Sequence, residues 1–170
     1  QELSYVHMHN VTDSVNYIFR HYRRDMDQVH QHRSTTDYAP YLKHMIIEPD
    51  LVEFLERVRP VYQLAISTNR TTTMKPLLKA FGLENYFEKI VTAGDVANPK
   101  PAPDALLDIL DFCGCKPEET IYIGDSIVDR HHTSTIPIPL IAFKNRELEA
   151  EFHVNSFMEI LQLEPFLRSV

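Results

Sequence analysis

The spacing of apolar residues changes period part-way along the chain. In the first stretch they fall at Val15, Ile18, Phe19, Tyr22, Met26 and Val29. Steps of three and four place them on one helix face, and Thr12 and Asp13 stand where a cap is needed. The polar run 31–37 interrupts this helix, and Pro40 and Pro49 bracket a short segment, 41–48. Pro49 and Asp50 then open a second helix with the stripe Leu51, Val52, Phe54, Leu55 and Val58, which Pro60 ends.

From residue 61 the pattern alternates. Short β-prone runs at 61–67, 89–92, 120–123 and 140–143 predict strands. Helical patterns fill the intervals. One covers 72–81 and stops at Gly82, and one covers 101–112 with Pro and Asp104 in its first turn. Two more cover 126–135 and 156–163. Such alternation predicts the α/β class, with a parallel sheet and helices on both of its faces. Residues 1–47 lack it and read as an all-helical appendage to a core at 48–170.

Three polar segments each lie just after an apolar, β-prone run. They are Thr68-Asn69, Lys100 between Pro99 and Pro101, and Gly124-Asp125-Ser126-Ile127-Val128-Asp129. In a parallel sheet the strand C-termini share one edge, and ligands bind at that edge. Asp129 lies one helical turn beyond Asp125, so the two carboxylates suit a hard cation with oxygen ligands, such as Mg²⁺. A helix N-cap at Asp125 with a solvated Asp129 is the plainer reading of that segment. The Thr68 hydroxyl and the Asn69 amide suit phosphate oxygens near a helix start, although they also suit a simple cap. Lys100 is either a surface lysine in a Pro-rich turn or a fixed ammonium that neutralises a transferring phosphoryl group.

Composition narrows the classes. The chain has 170 residues, 44% apolar and 24% charged, as one soluble domain with a small appendage would. A net charge of -7 and the lack of a long basic cluster argue against nucleic acid as partner. No apolar run reaches the ~20 residues that span a membrane, and the start carries no signal-peptide pattern. Cys113 and Cys115 alone cannot build a disulfide framework, so a cytoplasmic location with reduced thiols is expected. The histidine pairs His7/His9, His30/His32 and His131/His132 lack the spacing that shares a helix face.

The ordered series Thr68-Asn69, Gly82-Leu83 with Tyr86-Phe87, Lys100-Pro101-x-Pro103-Asp104 and Gly124-Asp125-Ser126-x-x-Asp129 resembles motifs two to four of the haloacid dehalogenase (HAD) superfamily. The likeness covers about two-thirds of the chain, in the branch that carries a helical cap. It implies a Rossmann-like core at 48–170 and a partial helical cap at 1–47. It also implies phosphoryl binding by Thr68 and Asn69, support from Lys100, and Mg²⁺ held by Asp125 and Asp129. The implied activity is hydrolysis of a small phosphorylated metabolite through an aspartyl-phosphate. A phosphomutase or a dehalogenase is a lesser alternative.

The first motif, Asp-x-Asp-Gly-Thr with the nucleophile, is not recognisable. Asp25-Met26-Asp27 lies in a helical pattern with no Gly-Thr after it, and the run 5–10 has histidines where aspartates belong. The expectation is therefore a chain that begins inside the cap and is inactive as it stands. The competing reading is a non-catalytic binding or interaction module. In the family the first-motif strand is central, between the strands ending at Thr68 and Gly124. Its place is then expected to be filled by a retained N-terminal fragment, by a neighbouring chain or by the run 3–8.

Overall fold

Among the described residues the strands form two sheets rather than one. In the computed structural model, which describes residues 5–6, 11–36, 39–42 and 44–167, β1 (Ala65–Thr68) pairs in parallel with β2 (Lys89–Thr92), Ala65 opposite Lys89 and Thr68 opposite Thr92. The second sheet orders β3 (Tyr122–Gly124), β4 (Leu140–Phe143) and β5 (Phe152–Val154), again all parallel. No backbone hydrogen bond joins β1 to β3 among the described residues. Each keeps one edge without a ladder partner there.

Helices cover both faces, as the alternation predicts. On one face α4 (Leu51–Val58) and α8 (Phe157–Ile160) pack together, and Phe54, Leu55, Val58 and Ile160 join Leu78 of α5 (Met74–Ala80) and Ile141 of β4 in the main core. On the other face α6 (Asp104–Cys113) lies against β1 and β2, burying Ala105 and Ile109 beside Val91. Strand β1 divides its side chains accordingly: Ala65 goes to the α6 side and Ile66 to the α4 side. The α6 C-terminus ends at Gly114, whose φ of 64° lets its N–H bond back to the Leu110 and Asp111 carbonyls.

Several expectations need correction. The first helix is two: α1 (Val11–Phe19) and α2 (Met26–Thr35). The break falls at Asp25, whose carboxylate accepts from the Asp27 and Gln28 N–H groups and starts a new helix. That helix then continues into the polar run expected to end it, because a solvated helix needs no apolar stripe there. A further short helix, α3, covers Ala39–Leu42. Strand β5 was not anticipated, since three residues are too few to show a period. Tyr5 and Val6 are helical, and Tyr5 stacks on Tyr17 of α1 with ring centroids 3.8 Å apart. The run 3–8 therefore does not supply a strand at these two residues. His7 and His9 lie outside the described residues.

Candidate active site

The three motif segments meet where β1 and β3 end. Thr68 closes β1, and its hydroxyl accepts the Arg70 N–H at 3.1 Å, which turns the chain sharply after the strand. The Asn69 side-chain amide donates to the Lys100 carbonyl at 3.0 Å, tying the β1 end to the Pro99–Pro101 loop. The Lys100–Pro101 peptide is cis. From that loop the Lys100 ammonium reaches across to the β3 side, 2.8 Å from Asp129 Oδ1 and 3.1 Å from the Tyr122 hydroxyl. Tyr122 in turn donates to the same Asp129 oxygen at 3.1 Å. Thr68, Asn69, Lys100, Asp125 and Asp129 thus gather at one edge.

The two aspartates are not equivalent. Asp129 sits in the first turn of α7 (Ile127–Ser134) and is only 5% exposed. Its second oxygen accepts from the Ser126 hydroxyl at 2.6 Å and from the Ser126 and Asp125 N–H groups, each at 3.2 Å. Both oxygens are therefore committed inside the protein. Gly124 makes this possible: a Cβ there would lie 2.5 Å from the Asp129 Cβ, inside any tolerable contact. Asp125 is the opposite case. It is exposed, its carbonyl accepts from the Asn145 side chain at 2.8 Å, and no described residue bonds its carboxylate.

Electrostatics follow from this packing. Burial alone would raise the Asp129 carboxyl, but Lys100 and the Ser126 and Tyr122 donors outweigh it and hold it below its ordinary value. Burial opposes the Lys100 charge as well, and the facing Tyr122 and Asp129 oxygens overcome it, so the ammonium lies above its usual range. Burial, reinforced by the Asp129 charge, pushes the Tyr122 phenol up to about 12. At neutral pH the site is an ammonium and a carboxylate bridged by a neutral phenol.

As a cation site the donor set is thin. Among the described residues no three His, Cys, Asp or Glu side chains cluster as metal ligands. Asp125 fits Mg²⁺ as one outward carboxylate, and Mg²⁺ is commonly held by one or two carboxylates with water and phosphate oxygens. Asp129 fits better as the partner that fixes Lys100 than as a ligand.

Sequence reasoning missed Tyr122 and Asn145. Asn145 follows β4 at the same sheet edge, so the rule that found Thr68 also applies to it. Tyr122 gave no signal, because a tyrosine inside a β-prone run reads as core. Ser67, expected on the face opposite Thr68, turns to the His132 ring.

Comparison with known proteins identifies the family. The haloacid dehalogenase-like hydrolase profile matches residues 5–143. The chain belongs to the HAD-like hydrolase family. Among its HAD relatives, a pyrophosphatase of Halalkalibacterium halodurans is 46% identical over 102 residues, which cover 54% of this chain and 47% of that protein. The phosphoglycolate phosphatase of Escherichia coli K12 is 38% identical over 64 residues, 37% of this chain and 25% of that one. The chain thus spans half or less of these relatives' length. A HAD-superfamily hydrolase of Geobacter sulfurreducens superposes with a TM-score of 0.76 at 34% identity, covering 83% of this chain and 74% of the other. The HAD fold is also shared with a phosphoglycolate phosphatase-like protein of Lactobacillus plantarum, at a TM-score of 0.78 and 15% identity over 95% and 80% of the two chains.

Proposed function

We propose that this chain carries the phosphate-binding and cation-binding part of a Mg²⁺-dependent phosphomonoester hydrolase. The observation that carries the reading is the bonded chain from Asn69 through Lys100 to Asp129, which joins all three motif segments at one sheet edge. Thr68 and Asn69 offer hydroxyl and amide donors to phosphoryl oxygens. Lys100, fixed by Asp129 and Tyr122, places one positive charge beside them. Asp125 is the outward carboxylate for Mg²⁺, which when bound would offset phosphate charge. Relatives named as pyrophosphatase and phosphoglycolate phosphatase support a small phosphorylated metabolite as substrate.

No described carboxylate stands as a nucleophile in this arrangement. In our reading it arrives on a further strand between β1 and β3, from a retained fragment or a neighbouring chain. Two facts support this. Among the described residues the strands β1 and β3 share no backbone bonds, although their ends are linked through the Lys100 loop. Asn69 Oδ1 is buried there with no donor among the described residues. A buried orphan acceptor costs about 1–3 kcal/mol, which a donor from an inserted strand would recover. The segment 1–47 is read as part of a helical cap over the core at 48–170.

Titration of the 170-residue chain with inorganic phosphate and Mg²⁺, followed by ³¹P NMR, tests the binding half of the proposal. Saturable binding that K100M weakens by about tenfold or more, without abolishing it, is expected. Binding unaffected by both K100M and T68A would remove the assignment.

A further inference from the structure

The His132 side chain is fully buried, with 0% exposure, and the roles above do not use it. It lies on α7, three residues past Asp129, and its two ring nitrogens contact two other segments of the site. Nδ1 is 2.7 Å from the Ala102 carbonyl, and Nε2 is 2.9 Å from the Ser67 hydroxyl. A carbonyl can only accept, so Nδ1 carries the proton. In the neutral ring Nε2 is then the acceptor, and Ser67 donates to it. The Tyr122 ring packs edge-on against the imidazole, with centroids 5.7 Å apart.

These bonds join places the backbone leaves separate. Ser67 belongs to β1, next to Thr68. Ala102 lies two residues beyond Lys100 on its loop. His132 itself belongs to the helix that holds Asp129. We infer that His132 is a positioning residue for Lys100: it locks the Lys100–Ala102 loop and the end of β1 onto α7, so that the ammonium meets Asp129 and Tyr122 in one geometry. The inference rests on the proposed role of Lys100 at phosphate. His132 itself touches no phosphate and transfers no proton. Its two bonds are those of a neutral imidazole used as a bridge, one donor and one acceptor pointing in opposite directions. Glutamine offers the same pair of functions, since its amide N–H can replace Nδ1–H toward Ala102 and its carbonyl can replace Nε2 toward Ser67. Alanine offers neither.

Two readouts on the 170-residue chain decide the matter. One is the ¹⁵N-detected ammonium signal of Lys100, which its bonds to Asp129 and Tyr122 protect from exchange. The other is affinity for inorganic phosphate by ³¹P NMR. H132A should broaden or abolish the ammonium signal and weaken phosphate about tenfold, the scale of one charge-assisted contact. H132Q should restore both, and S67A should lie between. In a K100M background, H132A should change phosphate affinity less than about twofold, because its effect runs through Lys100. The inference is overturned if H132A lowers the melting temperature but leaves the ammonium signal and affinity as they were. It is equally overturned if the H132A loss adds in full to that of K100M. If H132A does not fold, S67A carries the same test, and unchanged readouts in S67A overturn it. A wild-type chain that binds no phosphate would refute the phosphate reading alone, and the ammonium signal would still decide the positioning role.

Discussion

The Lys100 ammonium and the Asp129 carboxylate form an ion pair at 2.8 Å whose side chains are only 13% and 8% exposed. Such a pair is a strong constraint on the folded state, because either charge left alone in that place is poorly solvated. K100M should therefore destabilise the chain by about 3–5 kcal/mol in urea unfolding. Adding D129N to K100M should return part of that loss, as the stranded charge is removed. A K100M cost below ~1 kcal/mol would mean that the pair is open to water in solution.

Asp125 should behave oppositely. Its carboxylate is exposed and unbonded among the described residues, so D125N should change stability by no more than about 0.5 kcal/mol. It should nevertheless remove the line broadening that Mn²⁺, standing in for Mg²⁺, causes at the amides near residue 125. Broadening that survives D125N and disappears in D129N would reverse the two aspartate roles.

G124A tests the close approach of strand and helix. The added methyl would meet Asp129 atoms at 2.5–3.0 Å, so the α7 start must move. A loss of about 1–3 kcal/mol is expected, together with weaker phosphate binding. Because φ at Gly124 is not in the left-handed region, contact rather than backbone strain is the cause.

Much of this site was legible because its residues follow strands. A polar residue after an apolar run in an α/β chain lies at the sheet edge wherever the strands finally pair, and this places Thr68, Asn69 and Asp125 together, whereas Lys100, well beyond the end of β2 at Thr92, is brought in by its loop. The division of labour between Asp125 and Asp129 was not legible. It depends on Ser126 and Tyr122 saturating Asp129, and on Gly124 admitting its side chain, none of which spacing reveals. The helix break at Asp25 was hidden for a different reason. The apolar positions keep helical spacing across it, whereas a capping carboxylate acts locally.

Acid should weaken the fold partly through His132. Burial, aided by the nearby Lys100 charge, depresses its pKa below the usual 6.5, so the unfolded chain takes up the proton first. The contribution is fully present above pH 6.5 and declines as the pH falls from there toward the folded-state value. Lowering of the Asp129 carboxyl adds a second loss, below its unfolded value near 3.8. Urea midpoints between pH 7.5 and 5 should fall more steeply for the wild type than for H132Q. Equal slopes would show that His132 is already hydrated in the fold.

The central proposal is that Thr68, Asn69 and Lys100 bind phosphate, that Asp125 serves Mg²⁺, and that the nucleophilic carboxylate is supplied by another segment. The most direct measurement is Mg²⁺-dependent hydrolysis of p-nitrophenyl phosphate by the 170-residue chain alone. The account predicts no turnover above buffer while inorganic phosphate still binds. Robust turnover that D25N or H7A abolishes would contradict it, because the nucleophile would then lie within this chain.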